Sequence, residues 1–118
     1  MTDVQAIARL IQTSRFPLND EKRCQVEMAK AFDAAGIIFR REVRLGPGDI
    51  IDFMIDDIGL GIEVKIKGAK RAIYHQIERY CAYDDVRMIM LVSNVAMGIP
   101  ASIDDVPVYF ASLAKGWM

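Results

Sequence analysis

The stretch DIIDFMIDDIGLGIEVKI, residues 49–66, contains two runs that alternate apolar and charged residues, with a turn between them. Such alternation predicts two β-strands, because successive side chains of a strand point to opposite faces of a sheet. The residues DDIG, at 56–59, favour a hairpin between the two strands. The charged side chains inside these otherwise apolar strands need either a partner on the same face or a function.

The alternation also predicts which side chains share a face. Glu63 and Lys65 lie on one face of the second strand, and its apolar residues lie on the other. The expected core face of the first strand comprises Ile51, Phe53 and Ile55. If the strands pair with both apolar sets toward the core, Asp52 lies on the same side as Glu63 and Lys65. Two acids and a lysine then converge on one patch.

The rest of the chain predicts a mixed α/β fold. Apolar residues at helical spacing indicate a first helix that Thr2 or Asp3 caps. A second helix begins after Asn19 or Asp20 and ends at Gly36. Further elements are predicted at 37–45 (strand), 68–85 (helix), 86–94 (strand) and 106–113 (strand). The predicted order is α-α-β-β-β-α-β-β, a central mixed sheet flanked by helices in one domain over 1–118.

Composition predicts one cytoplasmic globular domain with no membrane partner. With 118 residues, 53% hydrophobic and 26% charged, the chain can build one core and is too apolar to be disordered. No apolar run approaches the roughly 20 residues of a membrane-spanning helix, and the first ten residues lack a signal-peptide pattern. The two cysteines lack zinc-binding spacing, and a net charge of −1 argues against a purely electrostatic nucleic-acid binder.

Asp52 and the triplet EVK at 63–65 resemble the D-x(n)-E-x-K signature of the PD-(D/E)XK nuclease superfamily, whose core is restriction-endonuclease-like. The resemblance implies that Asp52, Glu63 and the carbonyl of Val64 bind Mg²⁺, for which Mn²⁺ can substitute. It also implies that Lys65 positions or activates the attacking water. Carboxylate oxygens suit Mg²⁺, and a lysine can hold a water or a phosphoryl oxygen. The sequence departs from the signature at its proline, which is replaced by Ile51.

Two predicted helices extend the resemblance over about residues 20–95. Glu21 and Gln25 are similar to the E-x-x-x-Q opening helix of virus-type replication-repair nuclease domains, which implies that Glu21 contributes to the metal site. Gln76 and Tyr80 are similar to the Q-x-x-x-Y element that some branches of the superfamily carry after the E-x-K strand, and the chain as a whole also resembles Holliday junction resolvase-like domains. One helical turn apart, Gln76 and Tyr80 share a face. Gln76 would support the catalytic residues, and Tyr80 would pack beneath them or touch DNA.

Basic residues follow the second strand and open the next helix. They are Lys67, Lys70 and Arg71. Positive charge at a helix N-terminus can bind phosphates of DNA. Arg40, Arg41 and Arg44 form a second candidate patch.

Ordinary structural roles remain open for these residues. The acid and the lysine of the second strand can form an ion pair on a solvated sheet face. Glu21 suits the first turn of any helix, Tyr80 suits a core position, and the basic residues can be merely exposed. Asp49 competes with Asp52 as the first carboxylate. His75, the single histidine, is typical of a surface position.

Together these features predict a Mg²⁺-dependent DNA nuclease that hydrolyses phosphodiester bonds. Relatives with such small cores often cut branched or flapped DNA, frequently as homodimers. The resemblance therefore implies a structure-selective endonuclease of DNA repair, recombination or phage replication. The alternative is a non-catalytic DNA-binding or assembly module with the same fold, which would bind DNA without metal and cleave nothing.

Overall fold

The computed structural model describes residues 3–118, which form three α-helices, six β-strands and a short 3₁₀ turn. The helices are α1 (Val4–Gln12), α2 (Glu21–Ala34) and α3 (Lys70–Cys81). The strands are β1 (Arg40–Gly46), β2 (Asp49–Ile55), β3 (Leu60–Lys65), β4 (Met88–Ser93), β5 (Ser102–Ile103) and β6 (Val106–Ser112). The 3₁₀ turn covers Ala114–Trp117.

The strands form one mixed sheet in the order β1-β2-β3-β4-β6-β5. The pairs β1–β2, β2–β3 and β5–β6 are antiparallel, and β3–β4 and β4–β6 are parallel. A parallel pair needs a crossover connection, and α3 provides it between β3 and β4. The predicted α/β class and mixed central sheet are therefore confirmed.

Helices cover both faces of this sheet. On one face, α1 and α2 pack in a core that includes Phe32 and Phe53, whose ring centroids lie 5.4 Å apart. On the other face, α3 packs through Ile73 and Ile77. Alternate residues of β4 enter the two cores, so this strand is buried on both faces, as its continuous apolar run predicts. None of the helices within residues 3–118 is long and apolar enough to cross a bilayer.

The helix caps agree with the sequence pattern. Asp3 and Asp20 each accept a hydrogen bond from the backbone N–H three residues later, at 2.7 and 3.1 Å. The cap of α2 is therefore Asp20 and not Asn19, whereas Thr2, the other candidate for α1, lies outside the described residues. Gly36 follows α2 with a φ of +74°, a left-handed conformation that glycine adopts without strain.

The predicted elements differ from the structure in one omitted strand and in several boundaries, since α3 covers Lys70–Cys81 and β4 covers Met88–Ser93. The order α-α-β-β-β-α-β-β is incomplete because it omits β5, whose two residues are too few to show a periodic pattern. The strand predicted from residue 37 begins at Arg40. Ile37 and Phe39 still pack against the core of α1 and α2, so their apolar character reflects burial of a loop.

Strand β2 changes the face of its apolar side chains at Asp52. Phe53 packs in the core of α1 and α2, whereas Ile51 packs in the core of α3. The prediction that both share one face is therefore wrong for Ile51. Gly61 provides the space, because a Cβ there would lie 2.5 Å from Ile51 Cδ1. Beside Asp52, between two paired positions of β1, Glu42 has a left-handed φ of 49°. Asp52 thus occupies an irregular point in the sheet.

Candidate metal and nucleic-acid site

The β2–β3 hairpin opens at Asp52 and Glu63, and we call this opening the fork. The last pair on this side of the ladder is Phe53 with Ile62. Beyond it, the backbone N–H of Asp52 donates to Glu63 Oε1 at 3.3 Å, and that of Val64 donates to Asp52 Oδ2 at 2.8 Å. Each carboxylate therefore satisfies a backbone donor of the opposite strand where the regular ladder ends.

Lys65 lies at the mouth of the fork. Its Nζ lies 3.4 Å from Glu63 Oε2, and its side chain is 23% exposed against 4% for that of Glu63. Ser93 of β4 donates its hydroxyl to the Lys65 carbonyl at 2.7 Å, which fixes the end of β3. The Lys65 side chain therefore contacts the buried Glu63 carboxylate and is itself accessible to solvent.

Helix α2 places Glu21 beside the fork. Glu21 Oε1 accepts a hydrogen bond from the backbone N–H of Ile66 at 3.1 Å, which joins the first turn of α2 to the end of β3. The Glu21 charge is also close enough to Asp52 to raise the pKa of the Asp52 carboxyl. Glu21 thus lies in the first turn of its helix and faces the sheet at the same time.

Helix α3 supports the fork from the other face of the sheet. Gln76 Nε2 donates to the Tyr80 hydroxyl at 2.8 Å, and that hydroxyl donates to the Ile50 carbonyl at 2.9 Å. Because Ile50 precedes Asp52 by two residues, this chain of hydrogen bonds fixes the strand that carries the carboxylate. Tyr80 is 1% exposed. Its core placement is confirmed, and a direct contact between Tyr80 and DNA does not agree with this burial.

Burial makes ionised carboxylates costly in the fork. Loss of water and, second to it, the Asp52 charge raise the pKa of Glu63 to about 8, although Lys65 opposes the shift. Burial also raises the pKa of Asp52, against the hydrogen bond from the Val64 amide. With Glu21, three acids meet one lysine, so the fully ionised group carries excess negative charge. A bound cation would stabilise the charged form of these carboxylates.

The donor atoms of the fork suit a hard divalent cation. Asp52 Oδ2 accepts the hydrogen bond from the Val64 amide, and the Asp52 carboxyl also hydrogen-bonds with the side chain of Glu63. Carboxylate oxygens are typical ligands of Mg²⁺, which keeps several waters. In this part of the chain no three His, Cys, Asp or Glu side chains converge to hold an ion. The fork therefore brings together two predicted ligands, Asp52 and Glu63, and Glu21 lies at their edge.

Asp49, the competing carboxylate, belongs to a separate network. Its Oδ2 accepts a hydrogen bond from the Tyr83 hydroxyl at 2.7 Å, and its Oδ1 accepts one from Arg79 Nε at 3.2 Å. The Tyr83 hydrogen bond, together with Arg79, holds the pKa of Asp49 below its usual value. Because these two side chains already satisfy Asp49, Asp52 is the better candidate for a metal ligand.

The three predicted phosphate-binding residues are all exposed, and one of them, Lys67, lies beside the fork. Lys67 lines an open cavity of about 460 Å³ together with Glu21 and Lys65. Lys70 and Arg71 begin α3 and line a second cavity of about 400 Å³. None of the three basic residues forms a salt bridge with a residue in 3–118. Their charge is therefore available to an anion.

The second basic patch is less available. Arg40 forms two hydrogen bonds with Asp56, at 2.7 and 2.8 Å, so its charge is neutralised. Arg41 lies over the Phe53 ring at 5.6 Å, whereas Arg44 is exposed. These contacts favour the basic residues near α3 over this patch as a phosphate-binding surface.

Cys24 lies close to the fork and was not predicted as part of it. It is fully buried, and burial raises the pKa of its thiol to about 11, with the charges of Glu21 and Asp52 adding to the shift. The thiol is therefore protonated at neutral pH. It places an uncharged side chain next to the carboxylates of Glu21 and Asp52. Its position three residues after Glu21 on a helix could have indicated this proximity. Nothing in the sequence around Ser93, at the end of an apolar strand, predicts its hydrogen bond to the Lys65 carbonyl.

Comparison with family models, with curated protein sequences and with solved structures finds no match to this chain. The interpretation of the fork therefore rests on its own residues and on the motif that they form.

Proposed function

We propose that this protein is a Mg²⁺-dependent DNA nuclease whose active site is the fork of β2 and β3. The observation that carries the proposal is the pairing of the partly buried Asp52 with the buried Glu63, with Lys65 Nζ 3.4 Å from Glu63 Oε2. A simple surface ion pair needs neither the second carboxylate nor the burial. Both features are expected where carboxylates hold a cation and a lysine reaches the reacting group.

Each residue near the fork has a role in this proposal. Asp52 and Glu63 are the side-chain ligands of Mg²⁺ or Mn²⁺, the Val64 carbonyl and waters complete the set, and Glu21 acts at its edge. When bound, the cation would lower the pKa of a coordinated water and neutralise charge on the phosphate. Lys65, at the mouth, holds the attacking water or a phosphoryl oxygen.

Two further residues, Gln76 and Tyr80, hold the strand that carries Asp52 in place. Gln76 orients the Tyr80 hydroxyl, which in turn holds the Ile50 carbonyl and so the strand that carries Asp52. We therefore include Gln76 as a supporting residue of the active site and Tyr80 as its structural partner. Neither needs to touch the substrate for this role.

The charges around the fork support a polyanionic substrate. Lys67 lines a cavity with Glu21 and Lys65, and Lys70 and Arg71 line a second cavity at the start of α3, so a phosphate backbone can be attracted by the bases while a cation shields the acids. Contacts to a phosphate backbone carry no base-sequence information directly. We therefore propose that this protein selects branched or flapped DNA by shape, as a homodimer in the simplest arrangement, in repair, recombination or phage replication.

The test is cleavage of junction, flap and duplex DNA with Mg²⁺ or Mn²⁺. We expect Lys65→Ala and Asp52→Asn to reduce the cleavage rate by about 10²–10⁴-fold. Asp49→Asn is the matched control, since it changes the same residue type in the same strand outside the fork, and it should keep most activity. Cleavage that persists undiminished in both fork variants would refute the assignment. Metal-independent binding through residues 67–71, without cleavage under any metal, would instead support a non-catalytic DNA-binding or assembly module.

A further inference from the structure

Two cavities that share lining residues, one at Lys65 and one at Trp117, define a surface that we call the groove. The cavity of about 460 Å³ at Lys65 is also lined by Leu18 and Asn19. A neighbouring cavity of about 350 Å³ is lined by Pro17, Leu18, Asn19 and Trp117. Because the two cavities share Leu18 and Asn19, they form one surface along the loop between α1 and α2. Trp117 lies at its far end.

The Trp117 ring is held in place although half of it is exposed. Its Nε1 donates to the Phe16 carbonyl at 3.0 Å, and 50% of the residue is accessible. Arg15 donates from Nε to the Gly116 carbonyl at 3.2 Å, and its guanidinium carbon lies 5.8 Å from the centre of the indole ring. Gly116 packs so tightly on the Ser14 backbone that no side chain would fit there. The turn therefore presents a fixed aromatic ring with the Arg15 guanidinium over one face of it.

A fixed aromatic ring at the end of a groove that carries two lysines and Glu21 is suited to single-stranded nucleic acid. Nucleobases stack on aromatic side chains whatever their identity, and a positively charged groove follows the backbone. Here the groove carries Lys65 and Lys67 at one end and Arg15 at the other. In a duplex, each base face is covered by its neighbours in the stack. Only an unpaired base could leave its stack easily to lie on Trp117.

We propose that Trp117 stacks on an unpaired base of the DNA strand whose phosphodiester bond lies at Lys65. The substrate class is then DNA with a single-stranded segment next to the cut, as in a flap. This inference rests on the proposed nuclease function and specifies its substrate. Arg15 contributes by holding the turn that carries the ring and by adding positive charge beside it.

The fluorescence of Trp117 gives a direct test, because it is the single tryptophan of the chain. The wild-type protein is titrated, without divalent metal, with a single-stranded oligothymidine and with a blunt duplex of equal length. We expect saturable quenching by the single strand and little by the duplex. In fluorescence anisotropy with a labelled oligothymidine, Trp117→Leu should bind about tenfold more weakly, and Trp117→Phe should keep most of the affinity. Ile38→Ala, which removes another exposed apolar side chain (76% accessible), should bind normally.

The outcomes separate this inference from the proposed function. Oligothymidine binding without quenching, or equal quenching by the duplex, would overturn the stacking proposal and leave the nuclease proposal intact. Absence of both DNA binding and metal-dependent cleavage would overturn both. A fluorescence change that follows protein concentration without DNA would show that the ring contacts a second copy, which also overturns the stacking proposal. If Trp117→Leu does not fold, the stacking proposal is judged from the quenching of the wild-type protein alone.

Discussion

Replacing Glu63 with glutamine should remove most of the pH dependence of folding stability near neutrality. Glu63 is 3% exposed, and burial raises the pKa of its carboxyl from 4.5 to about 8. Between these values the folded protein holds a proton that the unfolded chain has released. Its contribution to stability is therefore fully present below about pH 4.5 and is lost as the pH rises through about 8.

The size of the effect follows from that proton. A difference of one bound proton changes the free energy of unfolding by about 1.4 kcal/mol per pH unit. From about pH 5.5 to about pH 7.5, inside the window, wild-type protein should lose about 2–3 kcal/mol. The glutamine introduced by Glu63→Gln cannot titrate but keeps an oxygen that can accept the hydrogen bond from the Asp52 amide. The stability curve of this variant should therefore be nearly flat, with a residual slope from Asp52, whose pKa burial also raises.

The assay is urea denaturation at several pH values in the presence of a chelator. Glu27→Gln is the control, because the Glu27 side chain is 40% exposed on α2 and forms an ion pair with Lys30 at 3.5 Å. Addition of Mg²⁺ near pH 7.5 should stabilise the wild type more than Glu63→Gln, because the ion binds the folded state. A flat wild-type curve, or an unchanged slope in Glu63→Gln, would refute the reasoning.

Two further substitutions test the parts that position the fork. Gly61→Ala should destabilise the protein by about 1–3 kcal/mol in the same denaturation assay, because the new Cβ meets Ile51 Cδ1 at 2.5 Å; Gly98→Ala, where no atom lies within 4 Å, should cost far less. Asp20→Ala should cost about 1 kcal/mol through loss of the α2 cap, whereas Asp33→Ala, at the other end of this helix, should cost nothing comparable. Equal losses in each matched pair would contradict these explanations.

Local patterns in the sequence were sufficient for most of the architecture. The caps of α1 and α2 follow from single aspartates, and the alternation of β3 separates Glu63 from its apolar neighbours. The position of Ile51 did not follow, because it depends on the space above Gly61 in the next strand. Strand β5 was missed because its two residues show no period. Such features depend on tertiary packing, which overrides local pattern.

In the candidate site, too, local spacing in the sequence predicts some features, whereas others depend on contacts between distant parts of the chain. Helical spacing predicts that Gln76 and Tyr80 share a face, but it cannot predict that the tyrosine hydroxyl binds the Ile50 carbonyl thirty residues away. Glu21 reaches the Ile66 amide across 45 positions of the chain. Trp117 gave no signal at all, since its exposure beside the groove depends on packing of the C-terminal turn against the loop before α2.

The central claim is that Asp52 and Glu63 bind a divalent cation. Its most direct test is anomalous diffraction from crystals soaked in Mn²⁺ near pH 7.5, for wild type and Asp52→Asn. We predict a peak in the wild-type fork, about 2 Å from Asp52 Oδ1 and from a Glu63 oxygen, and its loss in Asp52→Asn. A wild-type fork without a peak, or a peak of equal height in Asp52→Asn, would contradict the claim.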